Sequence, residues 1–220
     1  MTYDFTQVRE VELGKGSHSN PQEGMCFMEM AAWFAGVTHS DKPECASRVL
    51  GAYGINLNDK MPDQLRDSLL KPLVPLIVGT RDPENEQKRA EFLAMWAVNK
   101  IVPIALRANG FEKHALACER AGDLKAAKNA ANAAANAATY AADAAYAAAN
   151  AAANATANAT AYAAAYAAYA TAYAAANAAD IWAVAVEGLR QAILIGKHEG
   201  AIAFTERHEA LRTLVKETAK

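Results

Sequence analysis

Between Gly122 and Gly188 the chain has neither glycine nor proline, and all seven prolines lie at or before Pro103. The second half therefore lacks helix breakers, while the first is cut into short elements. Cysteine is scarce. Three residues, an odd number, exclude a disulfide scaffold and point to the reducing cytoplasm. Neither sign of charge dominates, with 22 Lys+Arg against 24 Asp+Glu. That balance argues against a nucleic-acid partner, because counterion release needs a basic face. No run of 18 strongly apolar residues is present, so no membrane span is expected. The first sixteen residues have no apolar stretch of signal-peptide type. No cysteine or histidine spacing matches a standard ligand frame, so neither a metal nor a cofactor is expected.

What the chain does hold is alanine. Residues 129–179 contain 33 alanines in 51 positions and one charge, Asp143. The exceptions form a stripe. It starts at Lys125, Asn129 and Asn132, then runs through Asn136, Thr139, Asp143, Tyr146 and Asn150. After Asn154 and Asn158 it continues through Tyr162, Tyr166, Tyr169, Tyr173, Asn177 and Asp180. Fifteen steps over 55 residues average about 3.7, close to the helical repeat of about 3.6. One face thus carries Asn, Tyr, Thr and Asp, and the rest is methyl groups. A single helix of that length would reach about 82 Å. A compact chain of this size has a radius of gyration of about 17 Å. The segment is therefore a long helix or, with a turn at Asn154–Thr160, a helical hairpin.

The whole reads as all-α: short N-terminal helices, the long alanine-rich helix or hairpin, and two closing helices. Residues 1–122 form the N-terminal region with the candidate site, and 123–220 the alanine-rich region, as one continuous domain. Residues 7–13 alternate as a short strand would. Met25 to Phe34 is a buried helix closed by Gly36. Asp41, with Glu44 three residues on and Pro43 between, has the spacing of a helix start. That helix is expected to stop at Gly51 or Gly54. Met61 to Leu70 makes another. Asp82-Pro83 opens a helix that should end before Pro103. Gly110 and Gly122 are stops, and Asp123 caps the alanine segment. Ile181 to Ile195 is amphipathic through Trp182, Val186, Leu189 and Ile193, and Thr205 caps a last helix.

Candidate chemistry concentrates in one stretch: His18, Cys26, Glu29, Trp33, Asp41, Cys45 and Arg48. Cys26 and Glu29 stand one helical turn apart, and so would Asp41 and Cys45. Histidine, thiol and carboxylate together can ligate a metal or form a thiol–imidazole pair. They also have a plain reading: Asp41 as a cap, the cysteines as small core residues, Arg48 paired with Glu44. Glu29 is the exception, since a carboxylate in an apolar run needs partners. Lys71, Arg81, Lys88, Arg89 and Lys100 could frame an anion pocket near Trp96. Gly14-Lys15-Gly16-Ser17 lacks the first glycine of a P-loop. The Ala/Thr/Asn mixture suggests ice-binding helices, but only Thr160 and Thr171 have the 11-residue spacing.

The stretches Gly24–Gly36, Ser40–Cys45 and Leu70–Asp82, with the alanine-rich tail, resemble an uncharacterised family of alanine-rich helical proteins from actinobacteria and bacteriophages. The resemblance covers most of the chain. It implies no activity, but it implies a phage or mobile-element setting. The expectation is a non-enzymatic, oligomeric binding protein. Its partner would be an unknown small molecule or a host protein: it would sequester a host signalling molecule or block a defence protein. The alternatives are a small hydrolase or metal-dependent enzyme around Glu29 and Asp41, and a structural rod or virion accessory.

Overall fold

The computed structural model describes residues 11–108, 110–137 and 179–196. Among these the chain is all-α, without a strand. The alternating segment at 7–13 lies partly outside the described residues. Its visible end makes one isolated parallel bridge, Leu13 to Met25, with Gly14 N donating to Met25 O at 2.8 Å.

Helix α1 (Phe27–Ala35) is the buried helix the apolar run predicts. Gly36 ends it at φ 67°, where a left-handed residue costs glycine least. Helix α2 (Arg48–Lys60) departs from expectation at both ends. Asp41 and Glu44 start no helix, and residues 41–46 form turns. Ser47 is the cap instead. Its hydroxyl accepts from Leu50 N at 3.2 Å, while its own N–H donates to Thr80 Oγ1 at 2.9 Å. Val49 N is taken by Glu86 Oε2 at 2.9 Å. The start is thus set by partners more than thirty residues away, which local spacing does not reveal. Nor do Gly51 and Gly54 stop the helix. They are where it crosses α1: a Cβ on Gly54 would lie 2.7 Å from two ring carbons of Phe27, and one on Gly51 3.3 Å from the Met28 methyl.

Helix α3 (Asp63–Leu70) leads into a 3₁₀ turn (Lys71–Leu73) and the single turn α4 (Val74–Ile77), with Pro72 and Pro75 at first-turn positions. Asp82 caps the 3₁₀ turn Pro83–Asn85 that opens α5 (Glu86–Trp96). The chain does not end its helix before Pro103. It widens into a π turn (Ala97–Ile101) and continues as α6 (Val102–Ala108). A proline lacks the N–H and presses its ring on the carbonyl four residues back; a wider turn relieves both. Asn99, inside that turn, donates its Nδ2 to the carbonyls of Cys118, Glu119 and Ala121 at 3.0, 3.2 and 2.8 Å. It thereby caps the end of α7 (Glu112–Glu119), which follows the Gly110 stop.

Asp123 caps α8 (Leu124–Ala137) as expected, accepting from Ala126 N at 2.7 Å. Helix α9 (Ala179–Ile193) carries Trp182, Val186, Leu189 and Ile193 into the core. It packs on α2, α3 and α5. One hydrophobic core joins Leu13, Phe27, Leu50, Leu93 and Leu189, so it runs on both sides of residue 122. No helix among the described residues is long and apolar enough to cross a membrane. Most of the stripe (Asp143, Tyr146, Asn150, Tyr162, Tyr166, Tyr169, Tyr173) lies outside the described residues, as do the choice between long helix and hairpin and the helix at Thr205. Asn136 falls within α8.

Candidate functional site

The candidate residues separate into two places. The first is the base of α1. Glu29 is 1% exposed at the third position of that helix. Its Oε1 accepts from His18 N at 2.7 Å, and its Oε2 meets Cys26 N and His18 Nδ1, each at 2.8 Å. Burial pushes its pKa up, but these hydrogen bonds from Cys26 and His18 outweigh it and hold the carboxyl below its ordinary value. A carboxylate only accepts, so His18 Nδ1 carries the proton and, in the neutral ring, Nε2 keeps a bare lone pair. The imidazole is slotted between two glycines. A Cβ on Gly14 would come within 2.7 Å of its Nε2, and one on Gly24 within 3.0 Å of its Cδ2. Gly24 also has φ 129°, a conformation other residues rarely adopt. His39 Nε2 donates to His18 O at 2.9 Å, which leaves its Nδ1 buried and without a hydrogen-bond partner among the described residues.

This cluster answers the question Glu29 raised. The buried carboxylate is satisfied by three N–H groups and ties the 14–18 loop to the helix start. No thiol–imidazole chemistry follows: His18 pairs with Glu29, and burial pushes the Cys26 thiol up to about 12. Among the described residues no three of His, Cys, Asp and Glu are placed to hold a metal ion.

The second place is a pocket of about 840 Å³. Its walls are the turn segment 41–48 and the first two turns of α2, with Met28 from α1 and Arg81 from the loop before α5. Met28, Pro43, Ala46, Gly51, Ala52 and Ile55 give it an apolar floor. Lys42, Arg48 and Arg81 face a single carboxylate, Asp41, among its lining residues. None of the three cations has an ion-pair partner among the described residues. The expected Arg48–Glu44 pair is absent there too, because residues 44 and 48 do not share a helix.

Asp41 and Arg48 thus come together, but not with His18, Cys26 or Glu29. Trp33 is partly buried against the core. Cys45 is half-buried, its thiol pushed up by burial, and its carbonyl accepts from Gly79 N at 2.8 Å. The basic residues proposed around Trp96 disperse. Arg89 is buried, donating to Thr80 O and Ile195 O, Lys71 pairs with Asp67, and Lys88 donates to Asn85. Arg81 alone of them lines the pocket. The floor residues Met28, Gly51 and Ile55 were missed, since each reads as ordinary helix packing; the signal was two glycines in a helix that does not stop at them. Comparison with protein-family models, curated proteins and solved structures finds no match to the chain.

Proposed function

We propose that this is a non-enzymatic binding protein whose pocket at the start of α2 holds a small anion with an apolar body. One observation carries the reading: three cations without ion-pair partners among the described residues share a concave, apolar-floored site with one carboxylate. Such a site concentrates positive potential and attracts anions. Its volume is that of a ligand pocket, not of a packing defect. In the phage or mobile-element setting that the sequence resemblance implies, the ligand is a small host signalling molecule, held in the cytoplasm. Homo-oligomerisation through the alanine-rich face belongs to the same proposal, and capture of a host defence protein is its protein-scale version.

An enzyme acting through Glu29 and Asp41 is the weaker reading. Those two carboxylates stand in different sites, and both Glu29 oxygens are occupied by N–H donors. Native mass spectrometry of the protein purified from its own cells tests the proposal, reporting stoichiometry and any retained molecule together. A retained anion that is lost in Arg48→Gln and Arg81→Gln supports it. No retained molecule, together with no binding by a library of small anions at millimolar concentration, overturns it.

A further inference from the structure

We infer that the ligand is an aliphatic phosphate monoester, its phosphate on Arg48, Arg81 and Lys42 and its chain along Met28 and Ile55. This rests on the binding reading above and names the ligand class for the same pocket.

The charge comes first. Three cations against the one carboxylate of Asp41 leave a residual of two positive charges at the lining. A phosphate monoester carries roughly 1.5 to 2 negative charges at neutral pH, whereas a carboxylate carries one and would leave a cation without a partner. Two of the three cations are arginines, whose planar forks match phosphate oxygens two at a time. The positive end of α2 is not what holds the head group. Val49 N is already bonded to Glu86 Oε2 and Leu50 N to Ser47 Oγ, so the side chains supply the site.

The floor decides the rest. Met28, Pro43, Ala46 and Ile55 are aliphatic or thioether surfaces, and no aromatic ring is among the lining residues. A nucleobase would find nothing to stack on, and stacking is the main source of base affinity that needs no hydrogen-bond readout. Gly51 keeps the floor open beside the Met28 methyl, 3.3 Å from where its Cβ would stand. About 840 Å³ is far more than a phosphate alone fills, so the chain of the ligand takes the remainder.

Calorimetric titration of the full chain with butyl phosphate, hexyl phosphate, hexanoate, inorganic phosphate and a nucleoside monophosphate tests the inference. Hexyl phosphate is expected to bind more than tenfold tighter than hexanoate. It should also exceed butyl phosphate, by roughly fourfold per added methylene. Arg48→Gln and Arg81→Gln, both at exposed positions, should each weaken hexyl phosphate at least tenfold, and Ile55→Thr should flatten the chain-length dependence. If hexanoate binds as tightly, if inorganic phosphate matches hexyl phosphate, or if the nucleoside monophosphate binds best, the ligand class is wrong while the pocket reading stands. If the arginine substitutions leave hexyl phosphate binding unchanged, the assigned head-group site is wrong. If none of the probes binds and native mass spectrometry finds nothing retained, the binding reading falls with it.

Discussion

Glu29→Gln is the most direct test of how the N-terminal loop is held. The substitution keeps the shape and removes the charge. The carboxylate accepts three N–H groups at 2.7, 2.8 and 2.8 Å. A glutamine offers one oxygen. Placed where Oε2 stands, that oxygen serves Cys26 N and the His18 ring, but its amide N–H then opposes His18 N. Placed the other way, it abandons Cys26 N. Either way at least one charge-assisted bond is lost and one buried N–H stays unsatisfied, a cost of about 2–4 kcal/mol at neutral pH.

The pH dependence follows from the sign of the shift. The folded carboxyl sits below its ordinary value of 4.5. The unfolded chain therefore takes up the proton at higher pH than the folded one. The stabilisation is complete above the unfolded value and is lost as pH falls through the folded one. The deficit of the variant should thus shrink on acidification from about pH 5 toward pH 3. Urea unfolding followed by tryptophan fluorescence, repeated along that pH series, measures it. A variant within about 0.5 kcal/mol of the parent at pH 7, or a deficit unchanged at pH 3, would refute the account of Glu29 as an ionised, triply bonded anchor.

The helix glycines should separate sharply. Gly54→Ala drives a methyl into the fully buried Phe27 ring and should cost about 1–3 kcal/mol, whereas Gly51→Ala meets only the flexible Met28 end and should stay within about 1 kcal/mol, both read as shifts in thermal midpoint. Gly188→Ala places a methyl 2.5 Å from the Trp96 ring, so it should destabilise and change the tryptophan emission together. Asn99→Ala takes the Nδ2 donor away from three carbonyls at the end of α7, of which Cys118 O keeps its bond from Ala121 N, and should cost about 1–3 kcal/mol, with faster amide hydrogen exchange in that helix; unchanged exchange would count against the cap. Burial pushes the Cys26 thiol up to about 12 and the Cys118 thiol up to about 11, so at pH 8 both should resist alkylation in the folded protein, with Cys45 the first to react and all three labelled in denaturant.

Where a signal was local, the sequence carried it. The Gly36 and Gly110 stops, the Asp82 and Asp123 caps and the apolar face of α9 all follow from residues within a turn of the feature they specify. Three features did not follow, each because a distant partner decides. Ser47 displaces Asp41 as a cap because Thr80 and Glu86 hold the backbone around it. Gly51 and Gly54 read as stops only while Phe27 and Met28 are out of view. Pro103 reads as an end until the π turn, locked by Asn99 to α7, gives it room. The candidate site was half legible for the same reason. Glu29 could be singled out, since an isolated carboxylate in an apolar run demands donors, but His18 as its partner comes from a loop eleven residues upstream. The pocket was seen only as scattered charges, because its floor belongs to two crossing helices.

Helices α8 and α9 both rest on α5. The two ends of the 41-residue segment between Ala137 and Ala179 therefore stand on a common support. The Glu29 anchor and the pocket are both built from residues between His18 and Arg81, upstream of that segment. An insertion or deletion within residues 138–178 thus adds or removes no residue of either.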